Sequence, residues 1–440
     1  MYDLVICNAA IAHPDGTTHT GDIACQNGRI AKIDNLISAP SHEHIDAAGQ
    51  LLIPGVIDPQ VHFREPGATD KEDLESGSRA AVRGGVTSFL EMPNCNPPTT
   101  DQQQLDWKLA RAAATSTANF GFFIGATSDN LEALNSVNPA CGIKIFMGSS
   151  TGNLLVDEQE ALDRIFGVGQ RLIAVHAEDE TRIQARTRAM LAQEETTDYG
   201  LHSQIRDPQT ALIATERALA LSEKYGRRLH ILHLSTSEEV ARLRRHKPEQ
   251  VTCEVIPNHL FLDTDDYGKL GSRAQMNPPI RSPDNATDLW RGLHQGVIDI
   301  IATDHAPHTL EEKTQPYPKS PSGMPGVETS LPLMLTAMQA GQCTLAEVQQ
   351  WMCSGPARVY GIKNKGHLAE DFDADLTLVD IKTTRPVRDE EVFSRAGWSP
   401  YAGRELTGWP SYTIVGGQVV FDNGRIRPGV FGKALEFQAP

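Results

Sequence analysis

The sequence predicts an α/β protein: a (β/α)8 TIM barrel with a small β-sandwich domain formed by both termini. Three observations predict it. Short apolar runs alternate with helical patterns through the middle of the chain, which argues for a parallel sheet with helices packed outside. The two chain ends share one hairpin idiom. The 440 residues, 40% hydrophobic and 22% charged, suffice for one large barrel with an appendage and a sizeable core.

At the N-terminal end the apolar run Leu4–Cys7 is followed by Asn27-Gly28-Arg29-Ile30, a hairpin turn pair between strand-like segments. The far end repeats this: Ser411–Val415, Gln418–Phe421, then Asn423-Gly424-Arg425-Ile426. Residues 1–52 and 366–440 therefore read as two parts of one β-domain, with a separate edge hairpin at each end as the alternative. In the barrel segment, 53–365, the expected strands are Leu52–Val56, Thr87–Glu91, Phe120–Ile124, Gly142–Phe146, Leu172–His176, Leu229–His233, Val251–Val255 and Ile298–Thr303. Asp207–Tyr225, with Ala and Leu at helical spacing, is an outer helix. A doubly wound sheet is the competing fold; a barrel places its chemistry at the C-terminal strand ends. The Pro316–Pro325 stretch reads either as a linker or as an active-site loop after the eighth strand. The glycine-rich run Gly148–Gly152 lacks the lysine of a phosphate cradle.

A formal net charge of −16 argues against binding nucleic acid, which needs clustered Lys and Arg. It leaves room for a small anionic substrate, since one local arginine outweighs a distant surface field. Seven scattered cysteines, an odd number without a Cys-x-x-Cys pair, read as reduced thiols in a cytoplasmic protein. No run of about 18 apolar residues marks a membrane span.

The informative residues are those that close the strands. His62 follows the first, Glu91 to Asn94 the second, and Lys144 lies within the fourth; His176, His233 and Asp304 end the fifth, sixth and eighth. A lone strand-end histidine is ordinarily a hydrogen-bonded core residue. Lys144 in Gly-Ile-Lys-Ile-Phe is harder to explain, because an unpaired ammonium in an apolar strand is costly. It must pair with a carboxylate, shift its pKa or be chemically modified. Six such groups at one end of a barrel converge on a site. Imidazoles and carboxylates together suit Zn²⁺ or a similar metal, which activates water for hydrolysis of amide-type bonds.

With these residues assembled, the chain resembles the cyclic amidohydrolases of the amidohydrolase superfamily, and among them the dihydroorotases, over nearly its whole length. Asp58-Pro-Gln-Val-His-Phe-Arg-Glu-Pro-Gly67 is close to the family's Asp-x-His-x-His-x-Arg-Glu-Pro-Gly. Met92-Pro-Asn94, Gly142–Thr151, Val175-His-Ala-Glu-Asp179, Leu232-His-Leu-Ser235, Asn277-Pro-Pro-Ile-Arg281 and Thr303-Asp-His-Ala-Pro-His308 match in the family's order. The resemblance implies one or two Zn²⁺ ions held by His62, Lys144 as a carbamate formed with CO2, His176, His233 and Asp304. It implies Asp304 as general base, and Arg64, Asn94 and His308 as holders of the substrate's α-carboxylate. Asn277 and the Gly323–Gly326 loop would contact the ring. The implied reaction is reversible cyclisation of N-carbamoyl-L-aspartate to L-dihydroorotate, in a homo-oligomer such as a homodimer. Arg64 carries the choice of substrate: related allantoinases tend to have Asn there, and hydantoinases lack the Arg-Glu-Pro-Gly continuation. On an extended strand Arg64 would share the pocket-facing side with His62.

One position departs from the pattern: Gln60 stands where the family has its first histidine. A glutamine oxygen is a weak zinc ligand, so the metal at positions 60, 62, 144 and 304 should bind more loosely than the one at 144, 176 and 233. Three outcomes follow: two metals with Gln60 or a water completing the first, one metal with partial activity, or a homologue without catalysis. Asp304, Arg64, Asn94 and His308 are all retained, which favours an active enzyme. The alternatives are a non-catalytic subunit supporting aspartate transcarbamoylase, or another cyclic amidohydrolase of hydantoinase or allantoinase type.

Overall fold

The computed structural model of the chain describes residues 1–149, 154–191 and 195–438. Eight parallel strands form the barrel: Val56–Val61, Val86–Glu91, Asn119–Phe122 continued by Ile124–Gly125, Ile143–Phe146, Ile173–His176, Leu229–Ile231, Val251–Val255 and Ile300–Ile301. The ring closes where Val61 bridges His305 in parallel, with His62 N donating to His305 O at 2.8 Å. Apart from the half-buried Thr252, the barrel strands are buried along their length, as expected for a parallel sheet covered by helices. The helix Pro208–Tyr225 is capped by Asp207, whose side chain accepts from Thr210 N, and stops at Gly226 in the left-handed conformation.

The first strand corrects the expected register. Leu51–Pro54 lies not in the barrel but in the terminal sheet, antiparallel to Leu376–Val379 and parallel to Ala10–Ile11. Gly55 makes the break, packed so tightly that a Cβ there would meet Thr87 Oγ1 at 2.1 Å. The true first barrel strand, Val56–Val61, carries Asp58, Pro59 and Gln60 and so lacks an apolar signature. Its buried carboxylate is satisfied instead: Asp58 accepts from Thr303 Oγ1 at 2.5 Å, Thr303 N at 3.1 Å and Gln60 N at 3.2 Å. The sixth and eighth strands are shorter than expected, because His233 and Asp304 take positive φ of 38° and 49° and end the extended run.

Nine strands drawn from both chain ends form one mixed sheet, in which Tyr2–Ala12 lies between Thr18–Gln26 and Leu51–Pro54 and Leu376–Pro386 joins the C-terminal strands to them. Both expected hairpins are present, with Asn27 and Gly28 at φ 52° and 80° and Asn423 and Gly424 at φ 43° and 90°, the signature of a type I′ turn. Sheet and barrel are tied through Asp375. Its carboxylate accepts from Asn119 Nδ2 at 2.9 Å and Gly416 N at 2.8 Å and is paired with the buried Lys365 ammonium, which also reaches Asp373 at 3.0 Å. Lys365→Met leaves that buried carboxylate without its cation. The variant is expected to lose about 3 kcal/mol or more of stability, read as a lowered denaturant midpoint; an unchanged midpoint refutes the tie.

Candidate active site

The strand ends bring the expected residues together at one mouth of the barrel as two donor pairs. In the first, His62 Nε2 lies 3.0 Å from Asp304 Oδ1, and Gln60 Nε2 donates to the same oxygen at 3.1 Å. In the second, His176 Nδ1 lies 3.0 Å from His233 Nε2. Lys144 is buried near enough to both pairs that its charge acts on His62, His176 and His233. Burial pushes its ammonium down to about 7 against the pull of Asp304 and Glu254, and its Nζ sits 4.5 Å from the Phe146 ring centroid.

Arg64, His233 and Asp304 all adopt left-handed backbone, at φ 62°, 38° and 49°. Such conformations cost of order 1–3 kcal/mol each and persist where surrounding structure holds them. The strand ends at Val61, so Arg64 does not reach the pocket by strand alternation as expected; its left-handed turn delivers it.

Whether these groups fit a metal can be judged from the proton bookkeeping. His62 Nδ1 lies 2.7 Å from Asn94 Oδ1, an atom that only accepts, so Nδ1 carries the proton. Burial holds the His62 imidazole below its usual pKa despite Asp304, which leaves a bare Nε2 lone pair facing a carboxylate oxygen. Two acceptors at 3.0 Å need a cation between them. Gln60 Oε1 is likewise buried with no hydrogen-bond partner. His176 Nε2 donates to Glu178 Oε2 at 2.9 Å, so its Nδ1 is the lone-pair nitrogen turned on His233, whose own Nδ1 is buried without a partner. Burial, then His176 and Lys144, keep His233 neutral, the ligating form. Two ligands on a tetrahedral Zn²⁺, bonded at about 2.0–2.1 Å, sit roughly 3.3 Å apart, close to both observed pairs. Among the described residues no three His, Cys, Asp or Glu side chains form a ready cage; the donors come as two pairs. They fit a divalent cation.

Beside the first pair lies a basic corner. Arg64 donates from Nε to Pro307 O at 3.2 Å and places Nη2 3.3 Å from His308 Nε2. His308 Nε2 also lies 3.1 Å from Ser322 O, and Lys71 Nζ 3.3 Å from Nδ1. Each ring nitrogen of His308 thus faces one donor and one acceptor, Nε2 the Arg64 guanidinium and Ser322 O, Nδ1 the Lys71 ammonium and Glu312 Oε2 at 3.5 Å. Burial, then the Arg64 charge, push His308 down to about 3, whereas burial lowers Arg64 only to about 10 and leaves it cationic. Asn277 Oδ1 lies 2.9 Å from His202 Nε2, which is 3.5 Å from Ser322 Oγ. The Pro316–Pro325 stretch is no linker: its Met324 bridges His305, and His305 itself is structural, accepting from Gly326 N at 3.0 Å. Residues 150–152 of the Gly148–Gly152 run lie outside the described residues.

Glu178, Arg206 and Lys71 are not among the expected site residues. Glu178 is fully buried and paired with Arg206, which with His176 holds its carboxyl down to about 2 against burial. An acid two residues beyond a strand-end histidine was a usable signal. Arg206, in the turn between the helices Leu201–Ile205 and Pro208–Tyr225, had none. Glu91, just before Asn94, forms a buried pair with Lys108 at 2.6 Å that anchors the Asn94 loop.

The model of the amidohydrolase family matches residues 51–420. Among curated relatives, the dihydroorotase of Methanosarcina mazei is 38% identical, the match covering 99% of this chain and 98% of that one. The dihydroorotase of Geobacillus kaustophilus is 34% identical, with 95% and 98% covered. Among solved structures, the L-hydantoinase (dihydropyrimidinase) from Arthrobacter aurescens superposes with a TM-score of 0.93 at 30% identity, covering 99% of this chain and 100% of that one.

Proposed function

The chain belongs to the amidohydrolase family, and we propose that it is a metal-dependent enzyme catalysing the dihydroorotase reaction, the reversible cyclisation of N-carbamoyl-L-aspartate to L-dihydroorotate in pyrimidine synthesis. The observation that carries this reading is the cationic Arg64, 3.3 Å from His308, set beside the His62–Asp304 pair. A planar guanidinium suits a carboxylate, and dihydroorotate differs from plain dihydrouracil by a carboxylate.

His62, Asp304 and Gln60 would hold one cation, His176 and His233 another, with Lys144, as the carbamate formed with CO2, shared between them; imidazole and carboxylate donors favour Zn²⁺. Such a cation, when bound, supplies an acidified water and a polarised carbonyl. The chain's own residues do the rest. In the hydrolytic direction water adds to the ring amide carbonyl as its proton passes to Asp304. The C–N bond then breaks, and Asp304 returns the proton to the departing nitrogen, leaving a new carboxyl group. Gln60, donating to Oδ1, steadies the carboxylate; Oδ2 has no hydrogen-bond partner among the described residues and is the oxygen available for the proton. Arg64, Asn94 and His308 hold the α-carboxylate, and Asn277 with the 323–326 loop faces the ring.

The same reading assigns residues 53–365 to the catalytic barrel, less Ile53 and Pro54, which pair in the terminal sheet, and 1–52 with 366–440 to the β-domain, in a cytoplasmic homo-oligomer, in its simplest form a homodimer; seven free cysteines support a reducing compartment. No helix among the described residues is long and apolar enough to cross a membrane. The purified protein should cyclise N-carbamoyl-L-aspartate and carry metal by elemental analysis, with dihydrouracil and hydantoin hydrolysed far more slowly. Absence of turnover under added Zn²⁺ at any pH overturns the proposal; preference for the carboxylate-free rings reassigns the substrate.

A further inference from the structure

Lys313 ends the short helix Leu310–Lys313 and is 2% exposed. No carboxylate hydrogen-bonds its ammonium among the described residues. Instead Nζ donates to three backbone carbonyls: Gln275 O at 3.1 Å, Pro321 O at 2.8 Å and Gly323 O at 3.1 Å. The carbonyl between the last two, Ser322 O, faces His308 Nε2 at 3.1 Å. Three consecutive carbonyls are thus turned alternately towards the lysine and the histidine. Gln275 O also accepts from Gly323 N at 2.9 Å, and Gln275 Nε2 donates to Ser320 O at 2.8 Å. The Trp398 ring lies 5.8 Å from Nζ, and its Nε1 donates to His308 O at 2.8 Å.

A buried ammonium is expensive unless every N–H is used, and here all three are. Burial pushes it down to about 7 while Glu312 opposes. A neutral amine offers only two N–H groups and would turn its lone pair on the third carbonyl. The three carbonyls come from two segments outside regular secondary structure, Gln275 next to Asn277 and the 321–323 loop, which lie side by side through the Gly323 N–Gln275 O bond.

We propose that Lys313 is a positioning residue for substrate recognition: its ammonium orients the 321 and 323 peptides so that Ser322 O is aimed at His308, fixing the orientation of that ring and of the 320–326 loop. Lys313 touches no substrate itself. The inference rests on the reading above, in which His308 and the 323–326 loop meet the substrate. It places a determinant of affinity outside the ring of substrate contacts.

The test uses the full-length, metal-loaded enzyme. Lys313→Met keeps length and removes the donors; KM for N-carbamoyl-L-aspartate should rise about tenfold to hundredfold, as expected for lost hydrogen bonds to a charged group, with kcat within about threefold. Lys313→Gln, which keeps two N–H donors, should fall between, and serves if the methionine variant does not fold. In Lys313→Ala, ethyl- to butylammonium should restore KM, and tetramethylammonium, which has no N–H, should not. Amide exchange over residues 320–326, measured without substrate, should quicken in each variant. An unchanged KM, a loss confined to kcat, rescue by tetramethylammonium, or unchanged exchange each overturns the proposal. If the unmodified enzyme turns over no carbamoyl-aspartate, the substrate reading fails, while the exchange measurement still decides the role of Lys313.

Discussion

Asp304→Asn is expected to lower kcat for carbamoyl-aspartate cyclisation by about 10³-fold, near 4 kcal/mol of transition-state stabilisation, while the protein stays folded. The substitution is close to isosteric. Asparagine Oδ1 can still accept from Gln60 Nε2, whose present bond is 3.1 Å, and the left-handed backbone at φ 49° suits asparagine at least as well as aspartate. What is lost is the capacity to accept and return a proton. Aspartate also stands 3.0 Å from His62 Nε2 as a donor of the first pair, so elemental analysis must accompany the kinetics. Metal retained with kcat lost assigns the effect to proton transfer; metal and rate lost together assign it to ligation. A variant within tenfold of the unmodified enzyme removes Asp304 from both roles.

How much of this was legible beforehand can be judged residue by residue. His62, His176, His233 and Asp304 were visible because a polar group closing an apolar strand breaks the expected pattern, and barrel topology places such breaks at one mouth. Their grouping, 62 with 304 and 176 with 233, was implied by the family resemblance, but the ring orientation within each pair was not visible. It depends on which imidazole nitrogen faces which partner, and that is set by Asn94 and Glu178, whose contacts follow from loop geometry. Gln60 could be recognised as a departure, yet its bond to a residue 244 positions away has no local trace. The first barrel strand was misplaced for a related reason. Hydropathy favours Leu52–Val56, whereas Val56–Val61 is buried with Asp58 inside it, satisfied by Thr303 after the neighbouring eighth strand. Lys313 carries no signal in the sequence, since its three carbonyl partners come from segments without periodicity. Periodic signals report which face is buried, and the polar partners that make burial of charge tolerable are long-range by nature.

Arg64→Met should lower kcat/KM for carbamoyl-aspartate by about 10²–10³-fold, mostly through KM, because a buried charged pair with the substrate carboxylate is typically worth 2–5 kcal/mol on truncation. The direction is firm on electrostatic grounds. Burial lowers Arg64 only to about 10, so it is charged throughout the working range. His308, pushed down to about 3 by burial and then by Arg64 itself, cannot supply a replacement charge. Lys71 lies nearby but is already paired with Glu312 at 2.6 Å. Arg64→Lys should rescue little, since an ammonium cannot reproduce the fork that bonds Pro307 O while facing a carboxylate. The discriminating measurement is a ring without the carboxylate. For dihydrouracil the same substitution should leave kcat/KM unchanged or raise it, because the unmodified pocket must bury an unanswered guanidinium against that ring. The two substrates therefore respond in opposite senses if Arg64 reads the carboxylate. Equal losses on both would mean that the guanidinium holds the loop through Pro307 O and that specificity is set elsewhere in the pocket.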